Sequence, residues 1–475
     1  MPRTVEIVAD SGRKPRSVER LRDWEYVERQ MHRLICAWGR YFADWQDKIV
    51  VHRQVWEQAE CVRRLRSRLA QFPGAAANLD QPVSAALERL TNTVLLAPSH
   101  QDAAEGIYGL LNRLLVKAYA DYATRAHPVH DAPTLELLNE VITIKEGMRL
   151  WLRDYRRRFP HTIEKSYAER IECAAADCGW LLEPLAVGVE AAQPAGVHTG
   201  FRLPRWPARP AGTVVKHNDW PFIDADFCTR VETRRLFWCM GYMREMNLAM
   251  DQLRWLYDSP AMPWEFHHDI SRHLWDESRH GDSGCSRLAD FGITLAEVGF
   301  GSYQGDEPLA GRAPLYPQAG QNQPGALPAA EAAAPLSGAE LYEQVFHIGM
   351  VAETGHFQVK REAYDDFKAG GDLESAEMML FDIIDEQTHV QYAHRWLPVL
   401  AQHAGVDHSG YRERAAEVRR KLQEEKCQAE AKAKALPRDV NDPAFALYQR
   451  LLDTMRRFKP LSNAGDRSPR SMLPM

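Results

Sequence analysis

The pentapeptide Asp-Glu-x-x-His occurs twice in this chain, with Glu277 and Glu386 as its glutamates. Glu245 lies 32 residues before the first of these, and Glu353 lies 33 residues before the second. Two antiparallel helices of about 14 residues from each glutamate to a short turn would bring residues with this separation level with each other. The nearly equal separations therefore predict two helical hairpins that present acidic side chains at matching heights.

Glu-x-x-His by itself is weak evidence, because the chain contains four such matches. Residues three apart do share one face of a helix, so that a carboxylate and an imidazole can bind one ion. A dinuclear site in a four-helix bundle takes such a pair from two helices and one glutamate from each of the other two. The candidate metal ligands are Glu245, Glu277, His280, Glu353, Glu386 and His389.

An aspartate precedes each motif glutamate, at Asp276 and Asp385. Metal-bound histidines usually donate their second ring N–H to a carboxylate or a carbonyl. In two facing helices Asp276 would hold His389, and Asp385 would hold His280, as outer partners of the metal site. The alternative is that both aspartates face solvent.

Apolar residues recur with helical spacing along nearly every ordered stretch, without a convincing set of strands, which predicts an all-α fold. The predicted helices A, B, C and D cover about residues 226–258, 263–291, 337–371 and 372–405. Pro263 suits the first turn of helix B. Ser337 and Glu340 form a capping box before helix C, which ends at Gly370-Gly371. The long irregular B–C connection, residues 301–338, predicts a four-helix bundle with one crossover.

The rest of the chain is also predicted to be helical, with Pro-rich and Gly-rich breaks. The predicted organisation is a flexible N-terminus (1–19), an N-terminal helical bundle without metal ligands (20–185), a Pro-rich linker (186–225), the metal-binding domain (226–410), C-terminal helices (411–458) and a disordered tail (459–475).

Composition limits the class of protein. With 475 residues, 45% of them hydrophobic, the chain can form two domains with real cores. A net charge of -6 does not favour a nucleic-acid partner. The N-terminus lacks the apolar core of a signal peptide, and no apolar run reaches the roughly 18 residues that span a bilayer. The eight cysteines include no Cys-x-x-Cys pair, which is typical of reduced thiols in a cytoplasmic protein.

Three segments carry a resemblance to a known family: SPAMPWEFHHDISRHLWDESRHGDSGCSRL, AETGHF and DIIDEQTHVQYAHRWLP. They resemble ferritin-like di-iron carboxylate proteins, in particular a bacterial ferritin-like family of unknown function related to the tRNA-hydroxylase branch. The likeness covers about residues 226–405. It implies a ferritin-like bundle with two irons at the six candidate ligands, where the reduced irons bind and split dioxygen.

The sequence departs from that family pattern at two histidines. His356 lies one turn after Glu353, and His273 lies four residues before Glu277. Either could be a seventh ligand, as an added histidine is in ferritin-like N-oxygenases. The alternative, favoured for each, is a buried histidine that is hydrogen-bonded to a carbonyl group. The pair Glu265/His268 falls in the first turn of helix B and is expected at the surface.

The N-terminal bundle could be a degenerate copy of the ferritin-like one. Alignment of Trp56 with Trp275 places Gln58 at the position of Glu277 and Cys61 at that of His280. Alignment of Trp151 with Trp396 places Val141 and Ile144 at the positions of Glu386 and His389. These side chains cannot hold two divalent ions. A generic helical domain without that ancestry is the equally weighted alternative.

Mixed carboxylate and imidazole ligands suit two iron ions, with manganese or a mixed pair as alternatives. The expected function is an O2-activating oxidase or oxygenase that hydroxylates, N-oxygenates or desaturates a small molecule. Electrons would come from an external reductase or ferredoxin, because the chain shows no nucleotide motif; a homodimer is left open. The alternatives are a tRNA-modifying hydroxylase, by family analogy alone, and a non-catalytic iron-handling or metal-stabilised protein.

Overall fold

The computed structural model describes residues 16–80, 84–182, 201–204, 207–208, 226, 230–298, 333–435 and 438–457. Within these ranges the regular secondary structure is helical and there is no β-strand, which confirms the predicted all-α class. Most of the predicted N-terminal segment, linker, crossover and C-terminal tail falls outside the described residues.

The N-terminal part of the chain contains seven described α-helices. They are α1 (Arg16–Gly39), α2 (Trp45–Leu69), α3 (Ala85–Leu95), α4 (His100–Ala104), α5 (Asn112–Arg125), α6 (Ala132–Arg158) and α7 (Lys165–Asp177). A π-helical segment, Glu105–Leu111, joins α4 to α5 without a break. A short 3₁₀ turn, Gly179–Leu181, follows α7.

The C-terminal part contains the helices predicted to carry the metal ligands. They are α8 (Val231–Asp258), α9 (Trp264–Asp290), α10 (Leu295–Val298), α11 (Gly338–Phe346), α12 (Thr354–Ala369), α13 (Leu373–Ala404), α14 (Tyr411–Lys434) and α15 (Pro443–Arg457). A second π-helical segment, His347–Glu353, joins α11 to α12. Predicted helices A, B and D are α8, α9 and α13, and helix C is the run from α11 to α12.

Local signals set most of these helix ends. The Ser337 hydroxyl accepts a hydrogen bond from the Glu340 N–H at 3.2 Å, and the Glu340 carboxylate accepts one from the Ser337 N–H at 2.8 Å, so the predicted capping box is present. Gly405 caps α13 with φ 65°, which favours glycine. Pro263 is the N-cap of α9 and does not lie in its first turn, because the helix begins at Trp264.

The four long helices contact one another in a ring. α8 packs along α9, α9 contacts α13, α13 packs against α11 and α12, and α12 returns to α8. The contact between α8 and α9 is close: a Cβ on Gly284 would overlap the carbonyl oxygen of Cys239. Glycine at this position therefore lets the two backbones approach one turn away from His280.

By its internal contacts the described chain divides into two compact units. The first takes residues up to Trp38 and from Glu57 to Arg202, and the second takes Gly39–Trp56 and the described residues from Leu203 onward. The division falls within α2, whereas the sequence analysis placed all of residues 20–185 in one N-terminal bundle. It also groups α14 and α15 with the four long helices.

Residues of α2 form part of the interior of the second unit. His52 Nδ1 lies 2.5 Å from the Ser278 hydroxyl oxygen, and the Trp45 indole N–H donates to Asp282 at 3.1 Å. Trp45 and Ile49 belong to an apolar cluster with side chains of α8, α9 and α15. The first turns of α2 thus complete the packing around the helices that carry the candidate ligands.

None of the described helices combines the length and the apolar character needed to cross a membrane. The seven described cysteines are free thiols, and four of them are buried.

Candidate metal centre

The six candidate ligands all point into the interior of the four-helix ring. Five of them are buried, and the side chain of Glu245 on α8 is 17% exposed. Their donor atoms form overlapping groups, in each of which the atoms lie within 4.8 Å of one another. The equal spacing in the sequence therefore does bring these side chains level with one another.

The first group joins His273, Glu277, Glu353 and His389. His273 Nε2 lies 3.0 Å from one oxygen of Glu277 and 3.0 Å from one oxygen of Glu353. His389 Nδ1 lies 3.4 Å from each of the same two oxygens. Two carboxylates and two imidazoles thus surround one point, which is a suitable set for a single divalent ion.

His273 is therefore not the carbonyl-bonded histidine that the sequence analysis favoured. Its ring stacks on that of His389 with 3.7 Å between centroids. Because Nε2 faces Glu277 and Glu353, the position corresponds to the added-ligand alternative. His356, the other histidine considered for that role, is exposed and belongs to none of the groups, so the structure gives no support for it as a ligand.

A second group joins Glu245, Glu277 and His280. His280 Nδ1 lies 3.0 Å from the Glu245 Oε2 atom. Glu277 belongs to both groups, so its carboxylate lies between two positions that each include a motif histidine. This is the placement that a carboxylate bridging two ions requires.

A third group contains Glu386 and a residue that the sequence analysis missed. Glu245, Asp382 and Glu386 place carboxylate oxygens within 4.8 Å of one another. Asp382 lies four residues before Glu386, just as His273 lies four residues before Glu277. Residues four apart share one helix face, but an aspartate at this spacing is common on solvated helices, so the relation alone does not single out Asp382 from the sequence.

Each motif histidine contacts the aspartate of the facing helix, as the sequence predicts. His389 Nε2 lies 3.3 Å from Asp276 Oδ2, and His280 Nε2 lies 3.3 Å from Asp385 Oδ2. Because these contacts occupy Nε2, the Nδ1 atom of each ring faces the interior carboxylates. Asp276 is 1% exposed, so the alternative that it faces solvent is wrong.

Two arginines hold the aspartates in turn. Arg272 Nε donates to Asp276 at 2.8 Å, and Arg279 donates to Asp385 at 2.7 Å and also to Asp276. Although burial alone would raise the pKa of Asp276, its contacts with His389 and Arg272 hold that pKa well below its usual range. Asp276 is therefore a permanent negative partner for the imidazole.

Several side chains of this interior have strongly shifted pKa values. Burial raises the pKa of Glu245 to about 7, against the opposing contact with His280. Burial also raises the pKa of Glu386 well above its usual value. Burial would lower the pKa of His273, but Glu353 and Glu277 outweigh it and raise that pKa to about 10. Two of the crowded carboxylates, Glu245 and Glu386, therefore bind a proton more readily than an exposed glutamate does.

Several buried atoms of this interior form no hydrogen bond within the described part of the chain. They are Glu245 Oε2, His280 Nδ1, both carboxylate oxygens of Glu353, Asp382 Oδ1, Glu386 Oε2 and His389 Nδ1. Some of them contact an oppositely charged group, but a buried polar atom that lacks a well-formed hydrogen bond is unfavourable by up to about 1–3 kcal/mol. All of these atoms have lone pairs that can bind a metal ion, so the arrangement fits one or two divalent cations.

Lys360 is the second residue that the sequence analysis missed. It lies on α12, two helical turns after Glu353, and is 1% exposed. Its ammonium group lies 2.6 Å from Asp382 Oδ2 and also contacts Glu386. A lysine seven residues after a glutamate is too common a pattern to have been singled out from the sequence.

Two aromatic residues of α8 border the same group. The Tyr242 hydroxyl donates to Asp382 at 2.7 Å, and its ring centroid lies 5.9 Å from that of His280. Trp238 and Tyr242 both belong to an apolar cluster with residues of α12 and α13. Both residues are therefore part of the core, and Tyr242 also orients Asp382.

The remaining Glu-x-x-His match lies away from these groups. Glu265 is exposed in the first turn of α9, as expected. The ring of His268 packs against Trp56 at 4.9 Å between centroids.

A solvent-open cavity of about 480 Å³ lies against the helical segment that carries Glu353. Its walls are formed by Met350, Thr354, His394, Arg412, Ala415 and Arg419. Met350 and Thr354 flank Glu353 along the chain, whereas the two arginines come from α14. The cavity is large enough for a small molecule, and its wall carries positive charge.

The first unit has a polar interior of its own. Lys145 on α6 lies 2.7 Å from the Gln58 side-chain oxygen and also contacts the carboxylate of Glu28 on α1. The Tyr119 hydroxyl donates to the other oxygen of Glu28 at 2.6 Å. All four side chains are fully buried. Gln58 thus lies in the interior, as its alignment with Glu277 suggests.

The alignment of α6 did not single out the residue that contacts Gln58. The residue that meets Gln58 is Lys145, one turn after Val141, whereas Ile144 is only half-buried. Val141 is itself fully buried, so Val141 and Lys145 both face the interior of this unit.

Comparisons of the chain with protein-family models, with characterised proteins and with solved structures found no significant match.

Proposed function

We propose that this protein is an oxygen-activating, non-haem metal oxidoreductase of the ferritin-like di-iron type that acts on a small molecule. The observation that carries the proposal is the position of Glu277. Its carboxylate is shared by two groups of candidate ligands, and each group contains a motif histidine held by an aspartate of the facing helix.

The ligand set supports iron or manganese. One ion would be held by His273, Glu277, Glu353 and His389, and the other by Glu245, Glu277 and His280 with Glu386 within reach. Structural zinc sites favour closed sets of four ligands rich in cysteine and histidine, whereas shared carboxylates suit ions that change oxidation state. Two bound irons would supply the electrons and the open positions that dioxygen chemistry needs.

The chain itself contributes placement and exclusion of water. The Asp276–His389 and Asp385–His280 contacts fix the ring orientations. The two arginines on the aspartates keep these carboxylates charged. Trp238 and Tyr242 line one side of the interior with apolar surface.

The adjoining cavity supports a small, anionic substrate. Arg412 and Arg419 lie in its wall, and Arg419 is fixed by hydrogen bonds to the Met350 carbonyl and to the Thr354 hydroxyl at 2.9 Å. A guanidinium group held in this way is suited to binding a carboxylate or a phosphate. Electrons would come from an external reductase or ferredoxin.

The test is anaerobic loading with ferrous ion, followed by metal counting and admission of oxygen. We expect up to two irons per chain and an absorption band that appears only with oxygen. The double variant His280→Ala, His389→Ala should lose this uptake, whereas His403→Ala, an exposed position on α13, should keep it. Two irons retained by the double variant would refute the ligand assignment. Iron uptake without any reaction with oxygen would favour a non-catalytic metal protein instead.

A further inference from the structure

Lys360 places a positive charge inside the candidate metal centre. Its ammonium group lies 2.6 Å from Asp382 Oδ2 and contacts Glu386 Oε1. These two carboxylates are two of the three members of the group that also contains Glu245. The lysine therefore occupies the place from which a cation would use Glu386 and Asp382.

The other ligand position is not obstructed in this way. The residues around it are His273, Glu277, Glu353 and His389, and the nitrogens that this group contributes are imidazole nitrogens. A histidine ring that releases its proton offers a lone pair and becomes a ligand, whereas an ammonium group has three donors and no acceptor. Lys360 can only repel a metal ion, or move aside for it.

The surroundings of Lys360 hold it in place. Its nitrogen lies 5.8 Å from the ring centroid of Trp238 and 5.7 Å from that of Tyr242, within the range of a cation–π interaction. The Tyr242 hydroxyl donates to the same Asp382 oxygen that Lys360 contacts. Displacement of the lysine would therefore break several contacts at once.

The first unit also contains a buried lysine that forms an ion pair with a buried carboxylate. Lys145 contacts the buried carboxylate of Glu28 and lies 2.7 Å from the side-chain oxygen of Gln58. In this chain an internal ammonium group can thus take the place of a cation between helices.

We propose that Lys360 makes the two metal positions unequal. One ion binds tightly at His273, Glu277, Glu353 and His389. A second ion at Glu245, Glu277 and His280 gains Glu386 only by displacing Lys360. This inference rests on the proposed metal centre and adds to it an order of loading, in which the second position fills last.

The test is a titration with Mn²⁺ alone, followed by calorimetry and by electron paramagnetic resonance. In the wild-type protein we expect one ion to bind at least about tenfold more tightly than the second, as the repulsion of a nearby charge requires. Isolated Mn²⁺ should dominate the spectrum until the second ion binds, when the signal of a spin-coupled pair should appear.

Two variants test the role of the lysine. In Lys360→Met and Lys360→Gln the second ion should bind at least about tenfold more tightly, so that the coupled signal appears at lower Mn²⁺ concentration. The matched control is Lys368→Met, which removes an exposed positive charge from the same helix and should titrate like the wild type. Far-UV circular dichroism shows whether each variant has folded.

The outcomes separate the two proposals. Equal affinity for both ions in the wild type, or an unchanged gap in folded Lys360 variants, would overturn the role of Lys360 and leave the metal centre intact. If neither variant folds, the wild-type titration alone decides between equal and unequal sites. A wild-type protein that binds no Mn²⁺ and no Fe²⁺ would end both proposals.

Discussion

In the candidate centre, each motif histidine is paired with an aspartate of the facing helix. Asp276 of α9 orients His389 of α13, and Asp385 of α13 orients His280 of α9. This reciprocal arrangement fixes both imidazole rings only if the two helices keep their relative axial position. The aspartates are therefore as important for the geometry of the centre as the ligands that they hold.

We expect Asp276→Asn to lower Mn²⁺ affinity by about 10–100-fold, because outer partners of metal-bound histidines typically contribute this much. The substitution keeps the shape of the side chain and removes its charge. Calorimetric titration measures the effect. Asp365→Asn, an exposed position on α12, is the matched control and should bind as the wild type does. Equal affinities for the two variants would contradict the positioning role.

Metal binding should also depend on pH. The ions need Glu245 as a carboxylate and His273 as a neutral imidazole, yet the pKa values of these groups are raised to about 7 and about 10. Below these values each group carries a proton that binding must release. Affinity for Mn²⁺ should therefore rise with pH, first through about pH 7 as Glu245 loses its proton.

Titrations at several pH values, with proton release followed in weakly buffered solution, check this dependence. Glu245→Gln cannot titrate in that range and should flatten the lower part of the profile. A wild-type affinity that did not change with pH would show that the metal-free centre is not protonated in this way.

The spacing of glutamates and histidines was enough to predict which six side chains meet, since it follows from the rise of a helix and the length of a hairpin. Lys360 and Asp382 were not predictable in the same way. Lysines and aspartates are common on solvated helix faces, and only the register of α12 against α13 decides that these two are buried.

Among the helices, the run from α11 to α12 differs from its neighbours by its π-helical segment. The segment His347–Glu353 ends at a candidate ligand. Extra residues in a helical turn re-aim the side chains around them, and such segments are frequent at functional sites. Here the wider turn coincides with the place where Gly349 meets Ala393 of α13.

We expect Gly349→Ala to be harmful, because its Cβ would overlap the Cβ of Ala393. Relief of such overlap typically costs about 1–3 kcal/mol, and it would also displace Glu353 one turn away. Thermal unfolding and Mn²⁺ titration measure the two effects. Gly355→Ala is the matched control: its Cβ has ordinary contacts with Arg419, so we expect a stability gain of about 0.5–1 kcal/mol. Similar behaviour of the two variants would contradict the close packing at Gly349.

The α-helices themselves could be predicted well, because caps such as the Ser337–Glu340 box and Gly405 are local signals. The π-helical segment could not. No particular residue types mark the change from i→i+4 to i→i+5 hydrogen bonds in this segment. The change depends on how α13 packs against the segment.

At the scale of the whole chain, each unit has a buried polar centre. The second unit has the candidate metal centre, and the first has a charged centre that consists of protein groups alone. Lys145, Glu28 and Gln58 satisfy one another there without an ion. Whether the first unit is a degenerate copy of the second or a generic helical domain stays an open hypothesis.

Removal of Lys145 should be costly, because it leaves the carboxylate of Glu28 buried and unbalanced. We expect Lys145→Met to lose about 3–5 kcal/mol of stability, and a second change, Glu28→Gln, to recover much of the loss. Guanidinium unfolding measures both variants. Lys165→Met, an exposed change in the same unit, should stay within about 0.5 kcal/mol of the wild type. A stable single variant would mean that Glu28 does not need a buried countercharge.

The boundary between the units was the least predictable feature. Composition pointed to the Pro-rich stretch at 186–225, whereas the internal contacts divide the chain within α2. No local signal marks Trp56 as a border, since the helix continues through it and only the distant partners of its residues differ.

This division matters to anyone who wants to isolate the metal-binding half. A gene fragment that starts at residue 226 would lack Gly39–Trp56. It would leave Ser278 and Asp282 without His52 and Trp45, and would expose apolar side chains of α8 and α9 to water. Such a fragment should aggregate unless residues 39–56 are supplied as a separate peptide or fused back by a linker.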